Sequence, residues 1–254
     1  MNPFDLSGRA AVVTGGNGGI GFGIAEGLAR AGAAIAIAAR DPEKNEDAAT
    51  RIRALGADCA GISTDVENPQ SCAAMVAEVL RRFGRLDILV NNAGMFIRRR
   101  PEEFTLAEWQ QVMSVNLTGA FLCCQAAYPA MQRQGGGKII NLGSLAAIFG
   151  TASGAAYAAS KGGVVQLTRS LAVSWGRENI QVNAILPGYI ATELSERERK
   201  HRPGMMDATI ARTPAGRWGT PGDVAGLAVF LASPAADFIT GAAIPVDGGY
   251  SVQL

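Results

Sequence analysis

The strongest constraint on the fold is the alternation of short apolar runs with longer amphipathic segments along the whole chain. Ala10–Thr14 (AAVVT), Ala34–Ala39 (AIAIAA), Asp58–Ser63, Leu86–Val90, Lys138–Leu142, Gln181–Leu186 and Ala243–Val246 have strand length and are stopped by glycine, proline or polar residues. Between them lie segments with helical spacing: Ile20–Ala31, Pro42–Leu55, Gln70–Phe83, Leu106–Met131, Ala155–Gly176 and Pro221–Leu231. Ile20, Ile24, Leu28 and Ala31 share one face. Pro42 suits a first helical turn, Gly84 a helix end and Thr220 an N-cap. Every connection is helix-sized and none is a hairpin, so the strands pair in parallel through right-handed crossovers. Their composition suits burial on both faces. The expectation is one domain over residues 1–254: a doubly wound α/β sheet of about seven parallel strands with helices on both faces.

Composition removes several classes of function. The 23 basic and 22 acidic residues nearly cancel, and no basic run offers the phosphate neutralisation a nucleic-acid binder needs. The apolar share of 48% excludes disorder, yet no apolar stretch reaches membrane-spanning length. The short polar start predicts no signal peptide. Cys59, Cys72, Cys123 and Cys124 form no C-x-x-C and read as small core residues of a reduced, cytoplasmic protein. With a single histidine, His201, a poly-histidine metal site is excluded and no metal is expected. A Ser-His-Asp triad is equally disfavoured, because His201 sits in a polar run and no G-x-S-x-G elbow occurs. The segment from Thr192 to Arg217 is charged and broken by Pro203 and Gly204. It reads either as a solvated insertion or as a lid over the site, since it follows the carboxyl end of a strand.

The turn after the first strand, Thr14-Gly15-Gly16-Asn17-Gly18-Gly19-Ile20-Gly21, opens the first helix. Glycines permit the tight turn and a close backbone approach, and the helix N-terminus offers free N–H groups to a pyrophosphate. The spacing is G-x-x-x-G-x-G rather than G-x-G-x-x-G. In the first βα unit of such a fold it predicts a dinucleotide site. The second strand ends Ala38-Ala39-Arg40-Asp41. Arg40 suits a 2′-phosphate and favours NADP, whereas Asp41 reads as a helix cap; NAD stays open as the alternative. Tyr157 and Lys161 lie four apart on one helix face, where an ammonium can favour phenolate. Ser144, after the strand Lys138–Leu142, can hydrogen-bond a carbonyl or alcohol oxygen.

T-G-x-x-x-G-x-G at Thr14–Gly21, N-N-A-G at Asn91–Gly94, Asn116 in V-N-L, Ser144, Y-x-x-x-K at Tyr157–Lys161 and P-G at Pro187–Gly188 occur in that order. Together they resemble the short-chain dehydrogenase/reductase family over essentially the whole chain. The resemblance implies Tyr157 as general acid/base, Lys161 as its tuner and ribose holder, Ser144 polarising the substrate oxygen, and Asn116 positioning a relay water. It implies cofactor contacts from Gly15, Asn17, Gly18, Gly19, Ile20 and Gly21, from Asp65 and Val66 at the adenine, and from Asn91, Ala93 and Gly94. Pro187, Gly188, Ile190 and Thr192 would hold the nicotinamide, and Tyr189 would meet the substrate.

Met95–Arg100 and Pro214–Gly219 are similar to segments of gluconate 5-dehydrogenases and 2-deoxy-D-gluconate 3-dehydrogenases, among which Arg98 would lie near a substrate carboxylate. Solvent exposure or a subunit contact is the competing reading of these arginines. Arg40 departs from members of that group that use NADH with an acidic residue at that strand end. The C-terminal run Gly241–Gly249 resembles a family segment at a subunit contact, which implies a homotetramer. The expected reaction is hydride transfer between a nicotinamide cofactor and a small-molecule secondary alcohol or ketone, with a sugar acid or polyol favoured. A broad carbonyl reductase, a 3-oxoacyl thioester reductase and a non-catalytic dinucleotide sensor are the alternatives.

Overall fold

The computed structural model of the chain describes residues 2–193, 195 and 204–253. Seven strands form one sheet: β1 (Ala10–Thr14), β2 (Ala34–Ala39), β3 (Cys59–Ser63), β4 (Ile88–Asn91), β5 (Gly137–Leu142), β6 (Ile180–Pro187) and β7 (Ala243–Val246). Their order across the sheet is β3-β2-β1-β4-β5-β6-β7, and every pairing is parallel. The expected sheet is therefore the observed one, with strand ends shifted by one or two residues.

Strand side chains alternate between two cores, as the pleat requires. Ala11, Val13, Ile35, Ile37, Ile88 and Val90 join one cluster with α1 (Gly19–Arg30), α2 (Pro42–Arg53) and the late helix Pro221–Ala232. Val12, Ala36, Ala38 and Leu89 join the other with α3 (Pro69–Phe83), α5 (Gly119–Arg133) and α6 (Ala155–Trp175). Cys72 and Cys123 pack in this second core with sulfurs 3.7 Å apart, and all four cysteines are buried free thiols.

The chain winds outward from β1 to β3, then crosses back to set β4 on the other side of β1. That reversal opens a crevice at the carboxyl ends of β1 and β4. Two close approaches pack α1 against the late helix. A Cβ on Gly23 of α1 would lie 2.4 Å from Cβ of Pro221, and one on Gly27 would lie 2.8 Å from Cβ of Ala225. Only glycine lets α1 sit that close to the late helix.

The long helix expected over Leu106–Met131 is interrupted. It begins as α4 (Leu106–Met113), passes through a π turn at Ser114–Thr118, and continues as α5. The extra residue of the π turn coincides with a demand on buried Asn116, whose amide bonds groups outside the helix. After β6, α7 (Met205–Arg212) lies within the charged segment, and α8 is Pro221–Ala232. His201 and its neighbours from 196 to 203 lie outside the described residues. Among the described residues no helix is long and apolar enough to cross a membrane, and no group of three His, Cys, Asp or Glu side chains could hold a metal.

Candidate active site

The loop after β1 carries the first wall of the crevice. Gly15 and Gly19 have φ of +61° and +52°, which side-chain-bearing residues rarely adopt. Gly18, the N-cap of α1, has no side chain to bond the helix, so the first N–H groups stay available to an anion. Asn92 locks this loop to β4. Its Nδ2 donates to the carbonyl oxygens of Thr14 and Gly15 at 3.0 Å each. Thr14 Oγ1 accepts from the N–H groups of Asn92 and Ala93 and donates to Val90 O. Gly21 belongs to this lock, since a Cβ there would fall 2.3 Å from Asn92 Nδ2.

A cavity of about 480 Å³ runs from this loop to the ends of β5 and β6, lined by Asn17, Gly94, Ser144, Tyr157, Lys161 and Gly188 among others. A smaller one of about 220 Å³ shares Gly15, Ala93, Gly94 and Met95 with it and continues past Arg40, Asp65 and Val66. Arg40 is exposed at its rim. Asp41 accepts from the N–H groups of Glu43 and Lys44 at 3.1 Å, so its carboxylate is used as the cap of α2. Ile20 and Thr192 border the larger cavity, and a Cβ on Gly19 would sit 3.6 Å from Thr192 Cγ2. A cradle floored by glycine backbone, with cations at the far end, fits a dinucleotide.

The reactive end lies at the start of α6. Ser144 caps the short turn after β5 through Ala146 N–H at 3.1 Å, with its hydroxyl close enough to Tyr157 to favour the phenolate. Burial pushes the Tyr157 phenol above its ordinary value, and the Ser144 bond works against that rise. Lys161 is 5% exposed, and its Nζ donates to Leu142 O at 2.6 Å. Burial lowers its ammonium from 10.5 to about 8. Nζ is 5.6 Å from the Tyr157 ring centre. The phenol therefore stands above its ordinary value in this structure, not below it as the Tyr157–Lys161 spacing led one to expect, and burial is the larger cause.

Asn116 is 2% exposed. Its Oδ1 accepts from Met95 N–H at 2.8 Å, and its Nδ2 donates to Met95 O and Ser160 Oγ, each at 3.0 Å. Ser160 Oγ donates to Tyr157 O at 2.7 Å. The side chain of Asn116 therefore ties the loop after Gly94 to α6. That loop bears Phe96, set edge-on to Tyr157 at 5.3 Å, and Arg98, whose Nη1 donates to Ser153 Oγ at 3.2 Å. Arg99 pairs with Glu108 and Arg100 with Glu102, both at the exposed surface. Of the three arginines, Arg98 alone is half-buried beside the site.

Three expected site residues point elsewhere. Asn91 faces the second core: its Nδ2 donates to Asn141 Oδ1 and Cys124 Sγ, because it shares strand parity with Leu89. Ile190 is buried in the first core against Gly219. Tyr189 stacks on Trp218 at 5.7 Å and meets Tyr250 edge-on at 5.2 Å, lining a separate cavity with Arg217 and Asp223. Asn92, Ser160 and Lys44 were not singled out in the sequence. Asn92 stood inside the N-N-A-G motif and could have been found from strand parity.

A dinucleotide crevice that ends on a serine, a phenol and a buried ammonium is the arrangement of an alcohol–ketone oxidoreductase using a nicotinamide cofactor. The family model described as enoyl-(acyl carrier protein) reductase matches residues 15–251. Gluconate 5-dehydrogenase of Gluconobacter oxydans (strain 621H) is 40% identical over 251 residues, covering 99% of this chain and 98% of the relative. The rhamnolipids biosynthesis 3-oxoacyl-[acyl-carrier-protein] reductase of Pseudomonas aeruginosa is also 40% identical, over 98% of this chain and 99% of the relative. The crystal structure of a gluconate 5-dehydrogenase from Burkholderia cenocepacia J2315 in complex with NADP and tartrate superposes with a TM-score of 0.95 at 41% identity, covering 100% of this chain and 99% of that one. The chain belongs to the short-chain dehydrogenase/reductase family.

Proposed function

We propose that the chain is an NADP-preferring dehydrogenase/reductase that interconverts a secondary alcohol and a ketone on a sugar acid. The observation that carries the substrate class is Arg98, the one half-buried arginine of its loop, linked through Phe96 and Ser153 to the surroundings of Tyr157. A guanidinium there suits a carboxylate, which it can bind in a fork. The solved gluconate 5-dehydrogenase with NADP and tartrate, a small dicarboxylate, is consistent with that reading. Exposed Arg40 and the use of Asp41 as a cap support the choice of NADP.

When bound, the nicotinamide supplies or accepts the hydride. The chain does the rest. Tyr157 gives its phenolic proton to the carbonyl oxygen in reduction and takes it from the alcohol in oxidation. Ser144 donates a hydrogen bond to the same oxygen. Lys161, largely protonated at neutral pH, holds positive charge near the developing phenolate and can bond the ribose. Asn116 braces the loop that carries Phe96 and Arg98, and its place in the π turn keeps it beside Lys161. The glycine loop with Asn17, Gly18 and Ile20 seats the pyrophosphate, Asp65 and Val66 the adenine, and Pro187, Gly188 and Thr192 the nicotinamide. Segment 192–217 is the candidate lid; its residues 194 and 196–203 lie outside the described ones, and its helix α7 is tethered by the Trp218 Nε1–Thr209 Oγ1 bond of 2.7 Å.

The proposed assembly is a cytoplasmic homotetramer. Exposed Leu106, Trp109, Phe121 and Val173 on α4, α5 and α6 support a subunit contact, which light scattering would test.

A second reading, a 3-oxoacyl thioester reductase, is favoured by the equal identity to the Pseudomonas reductase. One panel separates the two: sugar acids, neutral polyols, simple ketones and a 3-oxoacyl thioester, followed through reduced-nicotinamide absorbance. Turnover confined to carboxylated sugars, with Arg98→Ala raising their KM about tenfold or more and that of polyols little, is the expected result. Activity on the thioester and none on sugar acids would replace the first reading with the second.

A further inference from the structure

Asn45 lies on α2, is 1% exposed, and spends its whole amide on three separate partners. Its Nδ2 donates to Ala39 O at 2.7 Å and to Ile62 O at 3.0 Å, and its Oδ1 accepts from Asn17 Nδ2 at 2.8 Å. Ala39 immediately precedes Arg40, and Ile62 lies near the end of β3. Asn17 stands in the glycine loop, and Lys44, next to Asn45, lines the same cavity wall as Asn17. The start of α2 is pressed onto β3 here, since a Cβ on Gly61 would come within 3.0 Å of Asn45 Cβ.

A dinucleotide bearing a 2′-phosphate presents two anionic groups at a fixed separation. Selecting it over the unphosphorylated one requires the pyrophosphate loop and the 2′-phosphate cation to be held at that separation. We propose that Asn45 is a positioning residue for cofactor choice: it sets Arg40 against the glycine loop and so selects the 2′-phosphorylated dinucleotide. This rests on the reading of Arg40 as the 2′-phosphate ligand. A buried asparagine that only satisfied strand-end carbonyls would support both coenzymes equally, so the ratio of their affinities separates the two roles.

The experiment measures dissociation constants of the full chain for NADPH and NADH by nicotinamide fluorescence, which needs no substrate. The variants are Asn45→Leu, of similar volume, Asn45→Ala, Arg40→Ala and the double variant Arg40→Ala/Asn45→Leu. The expected result is about a tenfold weaker NADPH affinity in each Asn45 variant, equivalent to about 1.4 kcal/mol, with NADH changed less than about twofold. The double variant binds NADPH no more weakly than Arg40→Ala, because Asn45 acts through that arginine. Equal weakening of both coenzymes, or full additivity in the double variant, would overturn the proposal. If the leucine variant does not fold, the alanine variant carries the comparison. Arg40→Ala weakening both coenzymes equally would refute the 2′-phosphate reading and this inference with it. Arg40→Ala discriminating while the Asn45 variants do not would refute this inference alone.

Discussion

Lys161 gives the sharpest test, because its environment sets both a cost and a pH window. The side chain is 5% exposed, and burial takes its ammonium from 10.5 to about 8. A buried amine with a lowered pKa binds its proton less readily in the folded state. Between about pH 8 and 10.5 the unfolded chain holds that proton while the folded chain has released it. Folding stability contributed by this group therefore rises with pH across that window. Below it the burial penalty is present in full; above it the amine is neutral in both states and the penalty is gone. The drop in pKa corresponds to about 3 kcal/mol. Lys161→Met removes the titration and keeps the bulk, although it also loses the 2.6 Å bond to Leu142 O. That loss is a constant offset on the scale of the titration. The stability difference between wild type and variant should therefore shift by about 3 kcal/mol in favour of wild type from pH 7.5 to 10.5. Urea unfolding of the cofactor-free protein across that range, with m held common, measures it. A flat difference would refute the claim that Lys161 is charged and desolvated in the folded state. The variant should also lose turnover at every pH.

Tyr157→Phe keeps the ring against Phe96 but removes the proton that moves; turnover should fall by about 10²-fold or more while NADPH still binds, and near-native rates would remove Tyr157 from its role. Gly23→Ala would drive a methyl into Pro221 and should destabilise by about 1–3 kcal/mol in urea unfolding, whereas an unchanged midpoint would contradict the close packing of α1 on α8. Burial pushes the Asp87 carboxyl up, but bonds from Arg85, Ala10 N–H and Arg9 outweigh it and hold it below the usual range. It should therefore contribute stability above the unfolded carboxylate pKa that is lost as pH falls through its folded value. Asp87→Asn should flatten that part of the acid limb. Cys59 and Cys124 are pushed up to about 12 by burial, so dithiobis(nitrobenzoate) should leave both unmodified in the native protein at pH 8 and label them in urea.

β1, β2, β4, β5 and β6 were legible because each is an apolar run largely buried on both faces and stopped by glycine, proline or polar residues; β3 and β7 are less buried, and their length and place in the alternation marked them. The proposed reactive residues stood out because their chemistry depends on a local spacing, as with Tyr157 and Lys161 on one helix face. What was not legible depends on the third dimension. The π turn at Ser114–Thr118 inserts a single extra residue and leaves helical periodicity nearly intact on either side, so Leu106–Met131 read as one helix. Asn91 and Asn92 look alike as residues. Only strand parity sends the first into the core and lets the second lock the glycine loop. Asn45 has no motif around it within Pro42–Leu55, and its burial comes from β3 approaching at Gly61. Tyr189 follows the P-G turn in sequence, yet Trp218 and Tyr250 draw its ring away from the larger cavity.

The same geometry explains why the costs of this site lie where they do. The crevice is open because the winding of the sheet reverses at β1 and β4, and an opening needs ties across it. Asn92 supplies them between the glycine loop and β4, Asn45 between that loop and the ends of β2 and β3, and Asn116 between the loop after β4 and α6. Each is an amide, which can donate and accept at once and carries no charge to be desolvated. Asn45 and Asn116 are also fully buried. A charged side chain in these places would cost far more to bury. Around the crevice, the proposed function gives charge to the groups that would face ligand: Arg40 and Lys44 at the exposed rim, Arg98 half-buried, and Lys161 deep inside. Under the proposed function, Lys161 is therefore the position where stability and catalysis are most directly opposed. A substitution there that relieves the burial of charge should remove the ammonium proposed to support Tyr157.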